Sequence, residues 1–193
     1  FIVPAETPGV EIVRNVGLGT EEEGEGSHGY VRYTNVRIPI DHLLGDEGGA
    51  FVIAQTRLGG GRIHHAMRTI AMVRKAFDMM CERAVSRETR DGTLASMQMT
   101  QQKIADSWIE MEQFRLLVLR TAWLIDKHND YRRVRGDISA VKVAMAKVAH
   151  DIVGRAMHLH GAMGISNEMP FARMRITADM LGLADGPTEV HQV

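Results

Sequence analysis

The sequence predicts a mainly α protein, a helical bundle preceded by a short β segment. Two observations carry this. From Gly49 onward apolar residues recur at spacings of three and four, the period of helices, whereas residues 1–45 hold glycines, prolines and short β-rich runs. The helical stretches are long and their connections short, which argues for antiparallel neighbours in a bundle.

The β segment comes first. Phe1 to Val3 is one run, Val10 to Val13 a second, and Tyr30 to Tyr33 followed by Val36 to Pro39 a third, with partial alternation. Between them, residues 19–26 are acidic and glycine-rich, a composition for a solvated loop rather than a metal site. Ile63, Ala66, Met67, Ile70, Val73, Phe77, Met80 and Ala84 then mark one long helix ending near Ser86. Ile104, Trp108, Met111, Val118, Ala122 and Ile125 mark a second. Ile138, Val141, Met145, Val148, Ile152, Ala156 and Leu159 mark a third, with Asp137 placed to cap its start and Gly161 its end. A shorter fourth helix starts at Pro170, suited to a first helical position, and runs to about Leu181. Most of the 13 methionines fall at core spacings, where the flexible thioether fills gaps.

Composition narrows the function classes. A length of 193 residues allows one domain, or one domain with part of another. A net charge of -1 gives no electrostatic case for nucleic acid or an anionic membrane surface. Apolar runs such as Leu116 to Leu119 are too short to cross a bilayer, and no signal peptide opens the chain. The single cysteine, Cys81, cannot form an internal disulfide and reads as a small core hydrophobe. A reducing compartment fits: the cytoplasm of a bacterium, or the mitochondrial matrix of a eukaryote. The strand-like start without Met and the abrupt end at Val193 suggest a piece of something longer.

Local motifs carry more than periodicity does. Phe1-Ile-Val-Pro-Ala-Glu-Thr-Pro-Gly-Val-Glu-Ile12, Tyr30-Val-Arg-Tyr-Thr-Asn-Val-Arg-Ile-Pro39 and Leu44-Gly-Asp-Glu-Gly-Gly-Ala-Phe51 follow in order, and distinctive stretches continue to the last residue. In that order they resemble the acyl-CoA dehydrogenase family, from the end of its middle sheet domain into its C-terminal helical domain. The resemblance implies residues 1–47 as a remnant of the middle β-sheet domain and 48–193 as the helical bundle, cut short at its end. Leu58-Gly-Gly-Gly-Arg-Ile-His-His-Ala-Met-Arg68 and Ala184-Asp-Gly-Pro-Thr-Glu-Val-His191 are similar to the branch that animals fuse to a phosphotransferase-like domain. That likeness hints at unusual substrates such as hydroxylated acyl-CoAs.

The resemblance implies FAD-dependent oxidation of an acyl-CoA at its α and β carbons, which needs a base for the α-proton and an acceptor for a β-hydride. Asp185 stands where most of the family has a catalytic glutamate, so the likeness makes it the base. A carboxylate in water is too weak for that work, but burial disfavours its charged form and strengthens it. Aspartate is the shorter acid, and Gly186 and Pro187 would fix its approach, one permissive and one rigid. The Asp185 N–H would help hold the thioester oxygen. Read from the residues alone, Asp-Gly-Pro is a surface turn. Relatives that carry the base on the first helix do so at the position of Gly61, which has no side chain to act. Arg62 matches an arginine near the thioester and, with Gly186, is the expected substrate contact; from the residues alone it is an exposed helix arginine. Gly59 stands where an aspartate is common. His64 and His65 lack a second pair of ligands at zinc spacing and read as core or interface histidines that could also line the cleft.

For FAD the likeness implies Arg87 and Thr89 of Ser86-Arg-Glu-Thr89, Gln98, the stretch His158, Leu159, His160, Gly161 and Ala162, then Pro187 and Glu189. His158 replaces a usual glutamine, and Arg90-Asp91 replace a usual Phe-Gly. Gly161 is also a plain helix cap. The family passes electrons to an electron-transferring flavoprotein and works as a homodimer or homotetramer. Two rival readings stay open: a flavin oxidase on the same scaffold, similar to nitroalkane oxidases, and a flavin-free helical oligomerisation fragment.

Overall fold

The computed structural model describes residues 1–19, 21–22 and 24–193. Of the acidic loop expected over 19–26, Thr20 and Glu23 lie outside the described residues. The chain divides into two compact units, 1–57 and 58–193.

The first unit is built on an antiparallel ribbon of β1 (Val10–Val16) and β2 (His28–Tyr33). Val10 pairs with Tyr33 and Val16 with His28, and the register shifts between Ile12 and Arg14. Val13 is thus the extra residue of a bulge, which bends and twists the ribbon. Glu11 and Arg32 face each other across it and pair at 3.0 Å, while the Arg14 guanidinium lies over the Tyr30 ring. Phe1–Val3 and Val36–Pro39, expected as strands, are not strands. β-propensity needs a partner ladder to become a strand. In Phe1–Val3 a single main-chain bond forms among the described residues, from Ile2 N–H to the His42 carbonyl. The Pro39 carbonyl is spent on a tight 3-10 turn over Ile40–His42.

The second unit holds the helical core. α1 (Ala50–Ser86) starts in the first unit, and its buried residues, from Gly59 on, all lie in the second. A small hairpin, β3 (Glu88–Thr89) and β4 (Gly92–Thr93), leads to α2 (Gln98–His128). α3 (Arg135–His160), α4 (Ala162–Ile165) and α5 (Phe171–Leu181) follow. The core gathers Ile63, Val73, Phe77 and Met80 of α1, Met111, Phe114 and Val118 of α2, and Val141, Met145 and Ile152 of α3, with Phe171 and Leu181 of α5. Those helices were marked by the 3.6-residue period, and burial follows it closely. The apolar stripe is wider than the core it faces: Met67 and Trp108 hold core spacings yet are exposed. The Trp108 ring lies 5.7 Å from that of Phe77. Cys81 is half-buried against the core, and burial pushes its thiol up, with the Asp78 carboxylate adding to the effect.

α3 is the central helix, packed on both α2 and α5. Arg155 grips Glu110 of α2 with two hydrogen bonds at 2.7 and 2.9 Å. Arg175 of α5 crosses α3 over Gly154 to reach the His150 ring and carbonyl. The expected Asp137 cap is not formed. Val134 is the residue flanking the helix start, and Asp137 lies within the first turn with its carboxylate paired to Arg120 of α2. A neighbouring cation outcompetes main-chain N–H groups for that carboxylate, and a negative charge in a first turn still suits the helix dipole. Gly161 does end α3, at φ 64. Pro170 flanks α5 from outside rather than opening it.

Candidate active site

α5 stops at Gly182, and the chain folds back over residues 183–191. The turn closes where Thr188 N–H donates to the Gly182 carbonyl at 2.9 Å. Pro187 then opens a 3-10 turn over Thr188–His191. Within this reversal Asp185 has φ 58 and Gly186 φ 105. Two successive left-handed residues reverse the chain sharply. Glycine takes that conformation freely and aspartate tolerates it, at a cost of about 1 kcal/mol or more that the surroundings must hold.

Those surroundings are a polar cage on the Asp185 backbone. Its carbonyl accepts hydrogen bonds from Arg62 Nε and Nη2 of α1, each at 3.2 Å. His191 Nε2 approaches the same oxygen at 3.3 Å, and its Nδ1 lies 3.5 Å from Ser139 Oγ of α3. With the proton on Nε2, His191 donates to Asp185 and can accept from Ser139, a consistent tautomer. The Asp185 N–H donates to no acceptor among the described residues.

The carboxylate turns toward α1. The Asp185 side chain is 14% exposed, and His65 Nε2 lies 3.3 Å from Oδ2. That approach is within ion-pair distance but lacks hydrogen-bond geometry, so Oδ2 is buried without a hydrogen-bond partner among the described residues. One helical turn before His65, a Cβ on Gly61 would come within 3.3 Å of the same oxygen. Gly59 is likewise used for close approach, against the Tyr131 ring. Glycines in a helix interior cost about 1 kcal/mol each, and these two repay it by admitting a ring and a carboxylate.

Beneath the turn, Lys142 of α3 is buried at 1% exposure, its Nζ donating to the Leu181 carbonyl at 2.5 Å. Burial holds its pKa below the usual lysine range, with Asp185 opposing and Arg62 adding to the shift. Burial likewise lowers His191, against the hydrogen bond to the Asp185 carbonyl.

The chain as a whole has known relatives. The sequence pattern described as the acyl-CoA dehydrogenase C-terminal domain matches residues 48–192. The chain belongs to the acyl-CoA dehydrogenase family. It is 40% identical over 190 residues to the probable acyl-CoA dehydrogenase FadE2 of Mycobacterium tuberculosis, covering 98% of this chain and 46% of that one. It is 40% identical over 192 residues to acyl-CoA dehydrogenase family member 11 of Rattus norvegicus, covering 99% of this chain and 24% of that one. Among solved structures, the butyryl-CoA dehydrogenase of Megasphaera elsdenii superimposes with a TM-score of 0.84 at 26% identity, covering 100% of this chain and 49% of that one. The chain therefore spans less than half the length of these relatives.

The remaining residues that the likeness singled out lie in other places. Arg87 and Thr89 sit exposed at the β3–β4 hairpin, where Thr89 Oγ1 donates to the Gly92 carbonyl at 2.7 Å. Gln98 is the exposed first residue of α2. At the end of α3, His158 is exposed with Nδ1 3.3 Å from Lys103 Nζ, and Gly161 and Ala162 are exposed too. Leu159 and His160 face inward: Leu159 joins the core, and His160 stacks at 4.6 Å on Phe171 with Nδ1 2.8 Å from the Ala156 carbonyl. Those two can offer a ligand only their backbone. Glu189 and Pro187 are exposed on the Asp185 turn. No hydrogen bond or ion pair joins the hairpin or the α3 end to that turn among the described residues.

Sequence reasoning missed Lys142, His191 and Ser139. Lys142 carried a signal, since it adjoins Val141 inside the apolar period Ile138, Val141, Met145. His191 and Ser139 carried none, because only the reversed chain brings them together.

Proposed function

We propose that this chain supplies the helical half of a site for FAD-dependent α,β-dehydrogenation of an acyl-CoA thioester, with Asp185 as the base. A single observation carries the reading: a nearly buried carboxylate, one oxygen without a hydrogen-bond partner among the described residues, held by its backbone in a strained turn. Such groups cluster at active sites because a carboxylate used only for stability would be paired.

The substrate loses a proton from its α-carbon and a hydride from its β-carbon, and a C=C bond forms between them. Asp185 takes the proton at its carboxylate. The free Asp185 N–H is a donor for the thioester oxygen, where negative charge develops as the proton leaves. Arg62 and His191 lock the Asp185 carbonyl and so hold the turn, and Gly186 admits the His191 ring, since a Cβ there would stand 3.0 Å from Nε2. The exposed groups fit a flavin dinucleotide: Arg87 offers a fork for a diphosphate, and Gly161 has open space where a Cβ would stand. His158, Ala162, Gln98, Pro187 and Glu189 are the other surface groups that would hold it, with the backbone of Leu159 and His160. When bound, FAD supplies the hydride acceptor.

The reading extends to partners. An exposed apolar face on α2, with Leu116, Leu119 and Trp123, suits a second copy of this chain, as in a homodimer or homotetramer. An electron-transferring flavoprotein would take the electrons onward.

The test is the visible spectrum of the full-length protein under anaerobic addition of a panel of acyl-CoAs. The flavin band should bleach in the wild type, and Asp185→Ala should keep the band but lose the bleaching. Bleaching retained in Asp185→Ala would remove the base assignment. Bleaching by nitroalkanes and not by thioesters would favour the oxidase reading.

A further inference from the structure

Asp185 is anchored through its backbone, not its carboxylate. The carbonyl collects Arg62 and His191, whereas Oδ2 is buried without a hydrogen-bond partner among the described residues. A buried carboxylate oxygen without a donor is costly, and a catalytic one free to rotate is poorly aimed. His65 is in reach, with Nε2 at 3.3 Å and the ring half-buried on α1 one turn beyond Gly61. Its ring nitrogens hydrogen-bond to nothing else among the described residues. A small rotation of ring or carboxylate turns this approach into a hydrogen bond, the usual tightening of a catalytic contact when ligand binds.

We propose that His65 is the positioning residue of Asp185: its Nε2–H donates to Oδ2 in the reactive state and leaves Oδ1 as the atom that takes the proton. The proposal rests on the reading of Asp185 as base. The other charged or titratable groups facing Asp185 are placed differently. Arg62 of α1 and His191 of the turn engage the carbonyl, and Lys142 of α3 engages the Leu181 carbonyl. His65 is the side chain set against the carboxylate itself. The position of its proton matters: an Nε2–H attracts Oδ2, whereas an Nε2 lone pair repels it. Gly61 belongs to the same device, since a side chain there would crowd Oδ2 away from His65.

The test compares His65→Leu and His65→Phe, which remove the donor, with His65→Gln, which keeps an N–H in reach. Each is made in the full-length protein beside Asp185→Asn. Flavin bleaching by saturating acyl-CoA is timed anaerobically across a range of pH. Both donor-free variants should slow bleaching about tenfold or more, the scale of one hydrogen bond to a charged group. His65→Gln should recover most of the rate. Binding of the unreactive enoyl-CoA product, read as a shift of the flavin band, should change little in all three. Wild-type rates in both donor-free variants would overturn the proposal, as would a His65→Gln variant as slow as they are. The parallel Asp185→Asn separates the two readings. If it bleaches at the wild-type rate, the base assignment fails. If it is inert while the donor-free variants are normal, only the role of His65 fails.

Discussion

Replacing Lys142 by Met should flatten the rise of stability with pH above neutrality. Lys142 is 1% exposed, and its Nζ has one acceptor among the described residues, the Leu181 carbonyl. A charged ammonium carries three donors, so burial favours the neutral amine and holds the pKa below 10.5; Asp185 opposes and Arg62 adds to this. Unfolding restores the ordinary value. Between the lowered value and 10.5 the unfolded chain therefore binds more protons than the folded one. Stability then rises with pH in that window, and below it the full burial penalty is felt. The slope from one such group is at most about 1.4 kcal/mol per pH unit. A comparison at one pH would mix two opposing effects: the Met variant strands the Leu181 carbonyl, at about 1–3 kcal/mol, and also removes a buried charge. The slope isolates the lysine. Urea unfolding of wild type and Lys142→Met at several pH values from 7 to 10 measures it. The gap between the two curves should shift toward the wild type as pH rises. Parallel curves would refute the reasoning.

Met145→Ala, at 0% exposure in the centre of α3, should cost about 2–5 kcal/mol by chemical denaturation, the usual range for a cavity of that size. Gly164→Ala should destabilise by about 1–3 kcal/mol, because the new Cβ would sit 2.1 Å from the Met157 carbonyl oxygen and backbone must move; an unchanged urea midpoint would contradict the packing at the α3–α4 corner. His191 should make the protein acid-sensitive. Its ring is held below 6.5 by burial, so the unfolded chain binds the extra proton as pH falls through 6.5, and stability present above that value is lost. Melting temperatures between pH 5 and 8 should fall less on the acid side for His191→Gln than for wild type.

The helices were legible because burial in a bundle imposes its period on sequence. Val73, Met80, Met145 and Ile152 sit where that period places them. Phe1–Val3 and Val36–Pro39 misled because a strand is a property of a pair, and propensity says nothing of the partner. Asp137 misled for a related reason: a cap-forming residue has other suitors, here Arg120 from another helix. At the site, Asp185 and Arg62 stood out through the ordered motifs of a family, not through spacing, and their meeting across 123 positions of chain could not be read from either segment alone. Lys142 was visible as a charge among core positions, whereas Asp-Gly-Pro marked a turn at Asp185 without saying that the turn would be half-buried against α1.

That separation has a consequence for folding. The bonds from Arg62 to the Asp185 carbonyl close a loop of 123 residues that contains α2, α3, α4 and α5. Contacts so distant in sequence form late, after the local helices and their packing have covered the entropy of closure. A partly folded chain can hold every helix and still have no oriented carboxylate. The Asp185 turn gains these two bonds only once α1 has docked beside the end of α5.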